Sequence, residues 1–90
     1  METDLQMNPH SDPSFCYARD LGWCEYDERG HSVPAIVAVI INPIGFSVFR
    51  FGNEMTHVGW FEYREDAIDY AVDIVRNEIS VHELRQSDRD

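Results

Sequence analysis

The segment "VPAIVAVIIN" (33–42) constrains the fold more than any other stretch of the chain. Both of its alternate rows are apolar: Ile36, Ala38 and Ile40 on one, Ala35, Val37, Val39 and Ile41 on the other. β-Branched side chains favour a pleated backbone. Apolar rows on both sides require cover on both faces or a central place in a sheet. The run stops at "NPIG" (42–45), with Asn, Pro and Gly at the first, second and fourth positions of a type I turn. "FSVFRF" (46–51) follows, with rows Phe46, Val48, Arg50 and Ser47, Phe49, Phe51. Gly52-Asn53 is read as supplying the positive φ angles of a tight hairpin, and "MTHVGWF" (55–61) returns as a third strand. The expectation is a three-stranded antiparallel meander. Gly59, just ahead of Trp60, marks either a bulge or a close crossing of the next element.

That element is a helix. Ile68, Ala71, Val72, Val75 and Ile79 recur at i, i+3, i+4, i+7 and i+11 and form one stripe, widened by Tyr70 and Ile74. Packed across one face of the meander, the stripe gives an α+β fold with a single C-terminal amphipathic helix. Beyond Ser80, "VHELRQSDRD" is expected to add one frayed turn and then a polar tail from residue 85. Residues 1–14 hold two Pro, two Ser and three acids, and read as a mobile tail before a single domain over 15–84. Between them, Phe15, Tyr17, Trp23 and Tyr26 are too many aromatics for a linker. Residues 14–32 are either a short hairpin around "RDLG", extending the meander, or irregular cover for the core.

Charge narrows the partners. Seventeen Asp and Glu face seven Arg with no Lys, a formal net charge of −10. The flanks 1–32 and 61–90 each carry −5, and the strand-rich middle is neutral. Such a field repels nucleic acid and steers the chain toward basic surfaces. Direct DNA or RNA binding is therefore not expected; binding to a protein that itself holds nucleic acid is. The aromatics of the middle segment resemble a base-stacking platform only superficially, because Arg50 is the sole cation there to hold a backbone.

Other chemistries find little support. Cys16 and Cys24 fit neither a CxxC redox pair nor a zinc knuckle, and His10 and His31 add no familiar ligand spacing. Two reduced, partly buried thiols are expected, with no metal and no cofactor. Cys16 with His57 has no nucleophile elbow around it, and no phosphate-binding glycine loop occurs. The expectation is a non-enzyme. "AIVAVII" is too short to span a membrane, and the N-terminus lacks the basic and apolar regions of a secretory signal, which implies a soluble, cytoplasmic protein.

The carboxylates remain. Taking Asp66 as 0° and about 100° per residue, Asp69 falls near 300° and Asp73 near 340°, with Glu62 near 320° if the helix reaches it, opposite an apolar stripe centred near 180°. From Asp66 to Asp73 the row runs about 10.5 Å, sparser than a nucleic-acid backbone but like it in sign and line. A charged solvent face and acids favoured by the helix N-terminus account for part of this pattern, and Arg76 offsets some of it. Glu65, Asp66, Asp69 and Asp73 are the candidate partner-binding residues, with Glu25, Asp27 and Glu28 of "CEYDE" (24–28) as a second patch.

The run "GFSVFRFGNEMTHVGWFEYREDAIDYAVDIVRNE" resembles small bacterial ββα families, HicB-type antitoxins among them, in which a meander leads into a helix opening on Thr-Glu-Glu-Ala. Here "YREDA" stands at that entry and the usual Leu-Pro-Gly segment is missing, so the resemblance speaks to the fold. In type, a small acidic chain of this kind is similar to phage and mobile-element inhibitors, including anti-CRISPR proteins that block DNA access. That likeness implies an inhibitor in the host-cell cytoplasm, docked on a basic nucleic-acid-binding protein by charge and steric competition. The other reading is an antitoxin or assembly subunit that pairs through apolar sheet contacts as a homodimer, because the strands hold more apolar surface than one helix covers.

Overall fold

A computed structural model of the chain describes residues 14–87, with side chains as far as Arg85. The expected tail over 1–14 lies, apart from Ser14, outside the described residues, as does His10. Four strands, β1 (Phe15–Tyr26), β2 (Ser32–Asn42), β3 (Gly45–Phe51) and β4 (Thr56–Phe61), form an antiparallel meander in sequence order. The helix α1 (Arg64–Ser87) packs on one face and touches all four strands. The fold is the α+β arrangement expected, with one strand added at its N-terminal edge.

That strand replaces the hairpin considered around "RDLG". β1 pairs with β2 along its whole length, and Asp20-Leu21-Gly22 forms a bulge within it, not a turn. Asp20 pairs with Ile36 and Cys24 with Pro34, so four residues of β1 advance against two of β2. The Gly22 N–H donates to Asp20 Oδ1 at 2.8 Å while Gly22 adopts φ 98°, a backbone only glycine enters freely. The chain reverses later, at Asp27. Its Oδ1 accepts the N–H groups of Arg29 and His31 at 2.9 and 2.8 Å, and its carbonyl accepts Gly30 N–H at 2.9 Å.

The β2–β3 turn is the two-residue Pro43-Ile44 connection expected, with Ile44 N–H donating to Asn42 Oδ1 at 3.1 Å. The β3–β4 turn corrects the reading of Gly52-Asn53. Neither residue has positive φ, and the connection spans 52–55. Glycine is needed at 52 because a Cβ there would run into the Glu25 carboxylate and the Arg50 guanidinium. At Gly59 both readings hold. The β3–β4 register slips beside it, and a Cβ would sit 2.9 Å from the Tyr70 ring.

The core lies between sheet and helix. Ala35, Val37 and Val39 of β2, Val48 of β3 and Leu21 of β1 meet Ala67, Ala71 and Val75. The side chains are small. Val37, Val39 and Val48 are the largest that are fully buried, and the two helix alanines let α1 sit close on the sheet. Aromatics (Tyr17, Trp23, Phe46, Phe61) ring this centre half-buried. Each fully buried Val removes enough apolar surface to contribute about 1.5–2 kcal/mol.

The helix differs from expectation at both ends. It starts at Arg64, so Glu62 lies outside it, and it runs about two turns past Ser80. Its buried stripe centres near about 140° on the scale used above, because Ala67 falls at about 100° and Ala71 at about 140°. The polar residues Glu78 and His82 lie on that same stripe and disguise it. The outer ridge of Asp66, Asp69 and Asp73 averages about 333°, nearly opposite.

Candidate functional site

Two surfaces concentrate polar chemistry, one at the open end of the helix–sheet interface and one on the outer ridge of α1. The first is built around Arg50, the one cation of the neutral middle segment. Alternation along β3 turns Arg50 toward the helix in the same row as Phe46 and Val48. Its Nε donates to Glu78 Oε2 at 2.9 Å, and its Nη2 donates to Glu25 Oε2 at 2.7 Å. Nη1 reaches Glu25 Oε1 at 3.1 Å, which makes the Glu25 contact bidentate. Asn53 N–H also donates to Glu25 Oε1, at 2.9 Å, so this carboxylate ties β1, β3 and the β3–β4 turn together.

The electrostatics follow from these contacts. Hydrogen bonds from the Arg50 guanidinium, and then from the Asn53 N–H, hold the Glu25 carboxyl below its ordinary value of 4.5. Glu78 and then Glu25 push the Arg50 guanidinium further above its own. Beside the cluster, Trp23 stacks on His82 with ring centroids 4.1 Å apart and planes 10° from parallel. Together with Asn77, Val81 and Arg85 these groups line a cleft of about 270 Å³. Arg50 donates to two carboxylates there, so the cluster is satisfied within the chain and works as a clamp.

This clamp changes the standing of the second acidic patch. Glu25 is engaged by Arg50, Asp27 staples the β1–β2 turn, and only Glu28 of the three projects freely into solvent. The four helix candidates are placed differently. Glu65, Asp66, Asp69 and Asp73 are all exposed, on the side of α1 turned away from the sheet. Arg76 Nη1 lies 4.0 Å from Asp73 Oδ1, with both side chains about three-quarters exposed, a weak contact in water. A depression beside Asp73, Ile74, Arg76, Asn77 and Ser80 is open surface and encloses nothing.

Two residues beside the ridge escaped the sequence reading. Tyr63, just ahead of α1, is 62% exposed, and Tyr70, at about 40° on the helical scale along the edge of the acidic row, is 38% exposed. Tyr70 is held in place. Its ring packs on Phe61 at 5.1 Å between centroids, and its hydroxyl donates to Val58 O at 3.2 Å. Their spacing of seven residues, with Asp66 and Asp69 between them, was visible in the sequence. The sequence pattern reads Tyr70 only as widening the apolar stripe on one side.

The remaining candidates do not converge. Cys16 packs against the core from β1, whereas His57 is exposed on β4, at the opposite edge and on the opposite face, with its ring 5.1 Å from Phe49. Cys16 and Cys24 are free, the first half-buried and the second exposed, in place of the two partly buried thiols expected. Among the described residues, no group of three or more His, Cys, Asp or Glu is arranged to hold a metal ion, and no helix is long and apolar enough to cross a membrane. Comparison with family models, with curated proteins and with solved structures finds no match to this chain.

Proposed function

We propose that this chain is a non-catalytic inhibitor that lays the outer ridge of α1 on a basic, nucleic-acid-binding surface of another protein, in the manner of anti-CRISPR proteins. The observation that carries this reading is the exposed line of Asp66, Asp69 and Asp73, opposite the buried stripe, on a chain of net charge −10. Carboxylates in a line offer Arg and Lys the partners that phosphates would. A protein seated there excludes nucleic acid by charge and bulk without turnover. Tyr63 and Tyr70 supply what a row of acids lacks. Aromatic side chains at the edge of a charged patch carry much of an interface's energy, and Tyr70 is already ordered before contact.

Direct nucleic-acid binding and membrane binding play no part in this reading. The test is capture of host proteins on immobilised chain at low salt, followed by elution with added duplex DNA. Specific capture should be displaced by DNA, weaken steeply as salt rises, and vanish when Asp66, Asp69 and Asp73 are replaced together by Asn. Capture that resists about 0.5 M salt, ignores DNA or survives the triple replacement overturns the proposal.

A further inference from the structure

The face of the sheet turned away from α1 is an apolar surface that no described element covers. Alternation and register place Phe15 and Ala18 of β1, Ile36, Ala38 and Ile40 of β2, Phe49 and Phe51 of β3 and Trp60 of β4 on it. The Phe49 and Phe51 rings touch at 5.9 Å between centroids, and Trp60 remains 43% exposed where its indole lies over Gly45. The geometry points to a second copy of this chain as the occupant of that face, in an isologous sheet-on-sheet dimer. This inference rests on the sheet face alone and is independent of the role proposed for the acidic ridge.

Charge selects a self-partner. On a chain of net charge −10, two copies approach at least cost where each is neutral, and Asp20 is the only acid among the paired positions of this face. Its Oδ1 is occupied by the Gly22 N–H. The acidic helices then lie on the two outer sides, with axes about 30 Å apart if each layer is about 10 Å thick. Edge pairing is the weaker route to a dimer. β1 has two register shifts, β4 has one, and Tyr70 caps the Val58 carbonyl on β4.

Shape agrees row by row. In the middle row the small Ala18 and Ala38 of β1 and β2 stand beside Phe49 of β3, and in the row of Phe15 and Ile40 the small residue is Ser47 of β3. A two-fold axis parallel to the strands, between β2 and β3, sets Phe49 of each copy over Ala38 of the other and Ile40 over Ser47. Four strands about 4.8 Å apart and about seven residues deep give roughly 450 Å² of flat face per copy. Over both copies that is about 900 Å², below the roughly 1,200 Å² of stable interfaces, so the dimer should be weak and should form and dissociate with concentration.

Light scattering and sedimentation of the full chain, from about 1 µM to about 1 mM, test this. The expected result is a shift from monomer to dimer that tightens with added salt, opposite to the salt response of an acidic-ridge contact. Trp60→Asp, at an exposed site, and Phe49→Glu should each weaken association at least tenfold, whereas Asp69→Asn should not weaken it. Circular dichroism identifies a variant that has failed to fold, and Trp60→Asp then decides alone. A monomer at the highest concentration overturns the inference, including one that dimerises only after removal of residues 1–13. So does a dimer indifferent to Trp60→Asp.

Discussion

At one end of the molecule Glu25 and Glu78 converge on Arg50 at 2.7 and 2.9 Å, with all three side chains 18–29% exposed. Along the outside of α1, Asp66, Asp69 and Asp73 stand in solvent, and Arg76 reaches Asp73 only at 4.0 Å. Glu25 and the ridge acids read alike as candidate contact residues in the sequence. What separates them is whether the backbone register delivers a cation. β3 carries one Arg, alternation points it under the helix, and the carboxylates within reach are drawn into the fold. The helix ridge faces away from the sheet, so its acids are left for solvent or for another molecule.

Removing the cation should have the largest effect. Arg50→Met leaves two half-buried carboxylates facing each other without a counter-charge, and should cost about 2–4 kcal/mol, somewhat less than for a fully buried pair. For a domain of this size, thermal unfolding should then fall by roughly 10–20 °C. A variant within a few degrees of the parent would remove the distinction between structural and free acids. Glu25→Gln, which keeps the shape but loses the charge, should cost about 1–2 kcal/mol at neutral pH. Its pH dependence is more specific. The folded-state value of Glu25 lies below its ordinary 4.5, so its stabilisation is fully present above that pH and is lost as pH falls through the lower value. The stability gap between the parent and Glu25→Gln should therefore close in acid. A gap that persists at low pH would mean the carboxylate's charge is not what matters.

Gly52→Ala tests the same clamp sterically. The added methyl meets the ends of Glu25 and Arg50, which are flexible side chains but tethered to each other. A loss of about 1–2 kcal/mol in denaturant unfolding is expected, and in an Arg50→Met background it should shrink. Equal losses in both backgrounds would place the strain in the backbone.

The meander and the helix were legible because their signals are local: alternate rows in 33–51, Asn42-Pro43-Gly45 at the turn, and the helical repeat from Ile68 to Ile79. β1 was not legible. Two irregularities break its alternation and bring Cys16, Tyr17, Leu21 and Trp23 to one face, which no period of two predicts. Gly52 was misread because a glycine needed for space and one needed for positive φ look alike in sequence. Of the candidate acids, the helix ridge follows from 100° per residue alone. The Arg50 clamp joins positions 25 and 28 residues apart and depends on register. One signal did exist, since a lone Arg in a neutral, strand-rich segment has to find its counter-charge elsewhere in the chain.

The smallest expected change in stability comes from the helix ridge. Replacing Asp66, Asp69 and Asp73 by Asn breaks no buried contact. Asp66 gives up a favourable interaction with the helix N-terminus, worth about 0.3–1 kcal/mol, while like-charge repulsion along the ridge is relieved. The net shift should stay within about 1 kcal/mol, and denaturant midpoints should nearly coincide with the parent. This near-neutrality gives the contrast with Glu25 its meaning. Acids whose removal leaves the fold intact, yet abolishes DNA-displaceable capture of a partner, are contact residues. If their removal unfolds the chain, they hold it together, and the ridge belongs with the clamp.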